Sequence, residues 1–239
     1  MGKAHIKRLS APKSWPIKRK ENTWVTRPNA GPHNLDSSMS IGTVIKDLLG
    51  YVKNTKETKY VLSASKIMVN GKVRKDLKFP VGIMDVLSVG EDSFRIIINK
   101  KGKLIPIKIP STEAKLVLRK VSNKTSLKDK KVQVNFEDGT NLLSKEKYQT
   151  GDTVVFSDNK VKDHLKFEKG AMIYITAGKQ VGQVGVIKEV KEKKGLQPST
   201  IIFTQGKEDH ETPNNYVFIV GKNKPLVSLS EWIKWERSG

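Results

Sequence analysis

From Phe79 onward the apolar residues arrive in short runs of strand length, separated by turn residues, and this limits the chain to small sheets more than any other feature does. VGIMDVLSV, SFRIIIN and LIPIKI read as β, the last two joined by the turn KKGK. LVLRKV follows, then VQVNF with Val132, Val134 and Phe136 alternating, then an Asp138-Gly139 turn and DTVVFS. Alternation over a few residues marks a strand with one buried face, and Asp-Gly favours a tight reversal. Another block opens near Lys169, where GAMIYITAGKQVGQVGVIKEV supplies two strands, and STIIFTQG and NYVFIVG follow it. Several short strands with turns between them suggest a small barrel.

The segment before Phe79 has a different period. Ile41, Val44, Ile45, Leu48, Leu49 and Val52 make one helical stripe, with Ser40 placed to cap it. A second, shorter helix is expected over TKETKYVLSAS, with Tyr60, Val61 and Ala64 on one side. It leads into a hairpin in which Ile67 to Val69 and Lys72 to Arg74 flank Asn70-Gly71, a dipeptide suited to a type I′ turn. Residues 1 to 38 show neither period. Lys3, Lys7, Arg8, Lys13, Lys18, Arg19, Lys20 and Arg27 are interspersed with Pro12, Pro16, Pro28 and Pro32, which forbid a long helix. Such a segment is expected to stay extended and to order itself on a partner.

Charge says what that partner is. Lys and Arg number 45 against 24 Asp and Glu, a formal net charge of +21. So large an excess repels itself in a compact chain unless a polyanion neutralises it, and nucleic acid is the first candidate. Across residues 53–78 the cations Lys53, Lys56, Lys59, Lys66, Lys72, Arg74, Lys75 and Lys78 are crowded around the helix and hairpin, with only Glu57 and Asp76 among them. With the apolar stripe turned inward, these cations form a rigid phosphate-binding patch. A merely solvated charged face would interleave acids.

Other chemistries find no support. There is no Cys, so disulfides, thiolate zinc sites and Cys nucleophiles are excluded, and His5, His33, His164 and His210 stand too far apart in sequence to suggest a metal site. GKQVGQVG matches neither the Walker nor the Rossmann spacing, so Gly178, Gly182 and Gly185 read as turn or bulge glycines rather than a phosphate cradle. No Gly-x-Ser-x-Gly is present, and no carboxylate pair suggests acid and base catalysis. We therefore expect no enzyme, no cofactor, no metal and no small-molecule substrate. No apolar run is long enough to span a bilayer, Met1-Gly2 lacks the Ser or Thr of an acylation signal at position 6, and no apolar leader follows the start. A cytoplasmic protein without a membrane partner is expected.

Two stretches are similar to known RNA-binding modules. The helix pair with the VNGKVRKD hairpin resembles the S-four-type RNA-binding domain, and Gly170 to Val190 resembles the KOW motif, an SH3-like barrel element. The opening His5-x-Lys7-Arg8-Leu9-Ser10-x-Pro12-x-x-Trp15-x-Ile17-x-Arg19 resembles the N-terminal signature of the S-four-e family of archaeal and eukaryotic small-subunit ribosomal proteins. KFPVGIMDVLSV (Lys78 to Val89) and VGKNKPLVSL (Val220 to Leu229) look like further stretches of that family. The short tail with Trp232 and Trp235 departs from the longer basic eukaryotic C-terminus and points to the archaeal branch.

The expected fold is thus α+β and all-β multidomain. It has a basic extended N-terminal arm (1–38), an S-four-type RNA-binding domain (39–105), a central β domain (106–169), a C-terminal KOW SH3-like barrel (170–225) and a tail (226–239). The resemblance implies a structural constituent of the small ribosomal subunit, on the ribosome in the cytoplasm. Its partners would be small-subunit ribosomal RNA and neighbouring small-subunit ribosomal proteins. A free KOW-type translation or transcription factor, or an RNA-modifying enzyme carrying an S-four-type domain, are the alternatives. Candidate RNA contacts are His5, Lys7, Arg8, Lys13, Trp15, Lys18, Arg19, Lys20, Arg27, Lys53, Lys56, Lys59, Lys66, Asn70, Lys72, Arg74, Lys75, Lys78 and Lys179. Trp15 and Trp24 are each open to two roles, packing on the protein or stacking on an unpaired base.

Overall fold

The computed structural model describes residues 5–127, 131–144, 147–158, 160–191, 199–206, 208–222 and 224–229. The tail tryptophans, Trp232 and Trp235, lie outside the described residues. Two compact units divide the chain, Met1–Val117 and Leu118–Gly239.

In the first unit the N-terminal segment is folded, which corrects the expectation of an extended arm. β1 (His5–Lys7) pairs antiparallel with β2 (Trp24–Thr26), Ile6 opposite Val25. A single 3-10 turn, Arg8–Ser10, follows β1. Between the two strands Ala11, Trp15 and Ile17 are buried, Trp15 at 1% exposure. The apolar content that lacks any period is enough to anchor the loop at these points.

β3 (Ser38–Ser40) leads into α1 (Ile41–Thr43), which runs on without a break as a π-helical turn, Val44–Leu48. Ser40 caps it as its sequence position predicts, its hydroxyl accepting from the Thr43 amide. The stripe buries Ile41, Val44 and Ile45. The helix ends earlier than the stripe, because Gly50 takes φ +66° and the Tyr51 amide turns back to the Ile45 carbonyl. α2 (Thr55–Ser63) starts at a capping box, with Asn54 accepting from the Glu57 amide and Glu57 accepting from the Lys53 amide. Its inner face is Thr58 and Leu62, not Tyr60, Val61 and Ala64; Tyr60 is 77% exposed.

β4 (Ile67–Val69) and β5 (Lys72–Val73) form the hairpin, with Asn70 at φ 50° and Gly71 at φ 74°, the two positive values a type I′ turn requires. β6 (Pro80–Gly82) pairs with β3. β7 (Val86–Val89), β8 (Asp92–Ile98) and β9 (Leu104–Ile109) complete a five-stranded antiparallel sheet in the order β5-β4-β7-β8-β9. β8 is buried on both faces from Ser93 to Ile98, which accounts for its unbroken Ile96-Ile97-Ile98 run. Arg95, the charged residue within that buried stretch, pairs with Glu113 of α3 (Ser111–Ala114) at 3.2 Å.

Among the described residues the second unit holds two sheets of five strands, the second of them antiparallel throughout. β10 (Leu116–Ser126), which begins at the end of the first unit, β11 (Val132–Phe136), β12 (Asn141–Ser144), β13 (Thr153–Ser157) and β14 (Lys160–Leu165) are ordered β12-β11-β10-β13-β14. Its core includes Val134, Val154 and an edge-on Phe136–Phe156 pair at 5.5 Å. β15 (Met172–Ile175), β16 (Val184–Lys191), β17 (Thr200–Gln205), β18 (Glu208–Pro213) and β19 (Val217–Gly221) are ordered β18-β17-β16-β15-β19. Gly185 sits in β16 where a Cβ would come within 2.4 Å of the Phe203 ring, so close packing explains this glycine.

Candidate nucleic-acid interface

Burying Thr58 and Leu62 turns the rest of α2 outward. Lys56, Lys59 and Tyr60 are exposed there, three and four residues apart and so on one side of the helix. Lys53 before the helix and Lys66 after it are exposed too, as are Lys72 and Lys75 on and after the hairpin; Lys78 is half-buried. None of these lysines forms a salt bridge among the described residues. The two acids of the stretch are committed elsewhere. Glu57 closes the capping box, and Asp76 accepts from the Asn29 amide group at 3.0 Å and from the Lys78 backbone at 2.9 Å. The helix and hairpin therefore present cations without internal compensation on a rigid frame.

Several predicted contacts are occupied by the fold. Arg8 is 2% exposed; its Nη2 donates to Asp47 at 2.6 Å, its Nη1 to the Lys18 carbonyl and its Nε to the Trp24 carbonyl. Trp15 is buried with its Nε1 donating to the Ser38 carbonyl at 2.8 Å, so its ring is closed to a base. Arg19 donates to the carbonyls of Arg8, Leu9, Ala11 and Pro12, closing the loop on itself. Asn70 donates to Asp85 at 2.7 Å and accepts from the Val86 amide at 2.8 Å, holding the hairpin turn against β7. Arg74 is half-buried, its guanidinium 4.3 Å over the Phe79 ring. Burial closes Arg8 and Trp15 to RNA, which corrects the expectation for those two, while Arg19, Asn70 and Arg74 are half-buried and also serve the fold.

The remaining candidates face solvent. His5, Lys7, Lys13, Lys18, Lys20 and, in the second unit, Lys179 are exposed, and Arg27 is half-buried. Two features were missed in the sequence. Lys103, near the sheet's far edge, donates its Nζ to the Lys13 carbonyl. Burial, and then the neighbouring charges of Arg19 and Lys13, hold its ammonium below the ordinary lysine range. Such crowding of like charge favours an anion. Tyr60, 77% exposed, is the other; Trp24, at 52% exposure, keeps open the stacking role that the sequence allowed it. Exposure of single aromatics has no signature in sequence. Among the described residues no cluster of His, Cys, Asp and Glu could hold a metal, and no helix is long and apolar enough to cross a membrane.

Comparison with known proteins first sets the class. Residues 90–162 match the model of a ribosomal protein family, described as Ribosomal family S4e, and residues 1–36 match the RS4NT (NUC023) domain. The small ribosomal subunit protein eS4 of Methanococcus aeolicus is 41% identical over 94% of this chain and 97% of its own length. That of Archaeoglobus fulgidus is 40% identical over 94% and 97%, and that of Methanosphaera stadtmanae 38% over 94% and 95%. A crystal structure of the 30S ribosomal protein S4e from Thermoplasma acidophilum matches with a TM-score of 0.70 at 29% identity, covering 78% of this chain and 96% of that one. The chain belongs to the S4e family of ribosomal proteins.

Proposed function

We propose that this chain is a structural constituent of the small ribosomal subunit, acting in translation by binding and stabilising small-subunit ribosomal RNA rather than by catalysis. The named relatives are small ribosomal subunit proteins, which supports that assignment over a free factor or an RNA-modifying enzyme. Its place is the ribosome in the cytoplasm, with neighbouring small-subunit proteins as further partners. One observation carries the RNA reading: Lys53, Lys56, Lys59, Lys66, Lys72 and Lys75 stand exposed on α2 and around the hairpin, and no carboxylate pairs with them among the described residues.

The binding element is an S-four-type module over 39–105. Its lysines neutralise phosphates and release counterions, and its rigid helix and hairpin match RNA shape, since an A-form helix hides its base edges in a deep groove. We assign a central β domain to 106–169, which begins before the second unit does, a KOW SH3-like element to 170–225 and a tail to 226–239. Lys7, Lys13, Lys18, Lys20, Arg27 and Lys179 add phosphate contacts. The experiment is a titration of the purified protein with small-subunit ribosomal RNA at rising salt. Affinity should fall by about 10³ to 10⁵ between roughly 50 and 200 mM salt if some six to ten phosphates are neutralised. In Lys56→Glu/Lys59→Glu/Lys72→Glu affinity should fall and the salt dependence flatten by about one unit of slope per lost contact. An unchanged slope and affinity would remove this face from the interface.

A further inference from the structure

The lysine face leaves unexplained a cleft of about 310 Å³ in the same unit. Its walls come from the β1–β2 ribbon, the first helix and the start of α2, and include His5, Trp24, Thr26, Lys46, Asp47 and Thr55. We propose that this cleft receives one unstacked nucleotide of a bound RNA strand, with preference for a base that carries an exocyclic amino group. The proposal rests on the RNA-binding reading above and names what that surface does with an unpaired residue.

Size, aromatic surface and polar groups converge on this ligand. The volume is at the small end of ligand clefts, about 300 to 1,000 Å³, which admits one ring system with its sugar and excludes a duplex. Trp24 is the only exposed tryptophan among the described residues. Its backbone is fixed by pairing with Lys7, and the His5 ring meets it edge-on at 4.6 Å and 76°. An indole held in place before binding is a stacking platform that any base can use. Arg8 occupies one oxygen of Asp47, at 2.6 Å, while Oδ2 has no hydrogen-bond partner among the described residues. A carboxylate oxygen accepts from N–H and O–H donors, and repels phosphate and the carbonyl oxygens that flank the ring N–H of uracil. Adenine, cytosine and guanine offer an amino group, and uracil offers none. Lys46, half-buried on the cleft wall and free of any salt bridge among the described residues, supplies a cation for the nucleotide's phosphate.

The test uses the full chain, its Trp24→Ala and Trp24→Phe variants, and four probes: oligoadenylate, oligocytidylate and oligouridylate single strands of one length, and a blunt-ended RNA duplex. The wild type should bind the adenylate and cytidylate strands more tightly than the uridylate. Trp24→Ala should weaken adenylate binding about 5- to 100-fold, Trp24→Phe should restore most of it, and duplex affinity should not move in either variant. Equal loss on duplex and single strand in Trp24→Ala, or no loss on either, would overturn the cleft. A wild type that binds the duplex but discriminates among no single strands would overturn the base preference and leave the lysine face standing. Binding to none of the probes would overturn the lysine face and the cleft together.

Discussion

Arg8 and Trp15 carry a signature that is readable in the sequence, yet their role is legible only in three dimensions. Arg8 meets Asp47 39 residues away and Trp15 meets Ser38 23 residues away, and no local period announces partners at such separations. Clustered cations and prolines made the segment look incapable of folding, whereas a few long-range anchors fold it. Trp15→Ala should destabilise the first unit by about 3–5 kcal/mol, the range for emptying a buried aromatic site. Arg8→Ala, which strands the largely buried Asp47 without its partner, should cost about as much. Chemical denaturation of the full chain checks both: one unit should melt early while the other keeps its transition, and an unchanged profile would contradict the burial argument. Lys18→Ala and Lys20→Ala, exposed on the same segment, should leave stability unchanged.

Among elements, the hairpin was the most legible, because Asn70-Gly71 specifies its turn locally through positive φ. The strands from Phe79 onward were legible as runs, while their order in sheets was not, since pairing is a property of the fold. α2 was legible as a helix but not in its rotation: its short sequence offers Thr58 and Leu62 against Tyr60, Val61 and Ala64, and only the neighbouring core decides. Leu62→Ala should therefore cost about 2–5 kcal/mol and Tyr60→Ala within about 0.5 kcal/mol of nothing, measured by thermal or denaturant unfolding. Reversed costs would show the helix rotated from the face described. Asp85 joins three loops at this end of the sheet, accepting from the Gly82 amide, from Asn70 and from His33. Burial pushes its carboxyl up, but the His33 charge and these hydrogen bonds outweigh it and hold the carboxyl below its ordinary value. A depressed carboxylate stabilises the fold above the unfolded-state value of about 3.9, and that contribution disappears as pH falls through the folded-state value. Unfolding free energy should thus decline below about pH 4, with a smaller decline in Asp85→Asn; identical acid profiles would remove Asp85 as a source.

At the scale of the whole molecule, composition already implied the partner: a formal charge of +21 is difficult to hold in a compact chain without a polyanion. The structure shows where part of that excess resides. Buried or internally bonded cations such as Arg8, Arg19 and Arg95 serve the fold, and the lysines of α2 and its hairpin are left to act outward. Such a division cannot be read from a charge count, which treats a buried arginine and an exposed lysine alike. The most direct measurement is incorporation of wild type and Lys56→Glu/Lys59→Glu/Lys72→Glu into small subunits, followed by sedimentation in moderate salt. Wild-type protein should travel with the washed subunit and the folded triple variant should be depleted from it; equal retention of the two would contradict the claim that this cationic face binds the protein to its RNA.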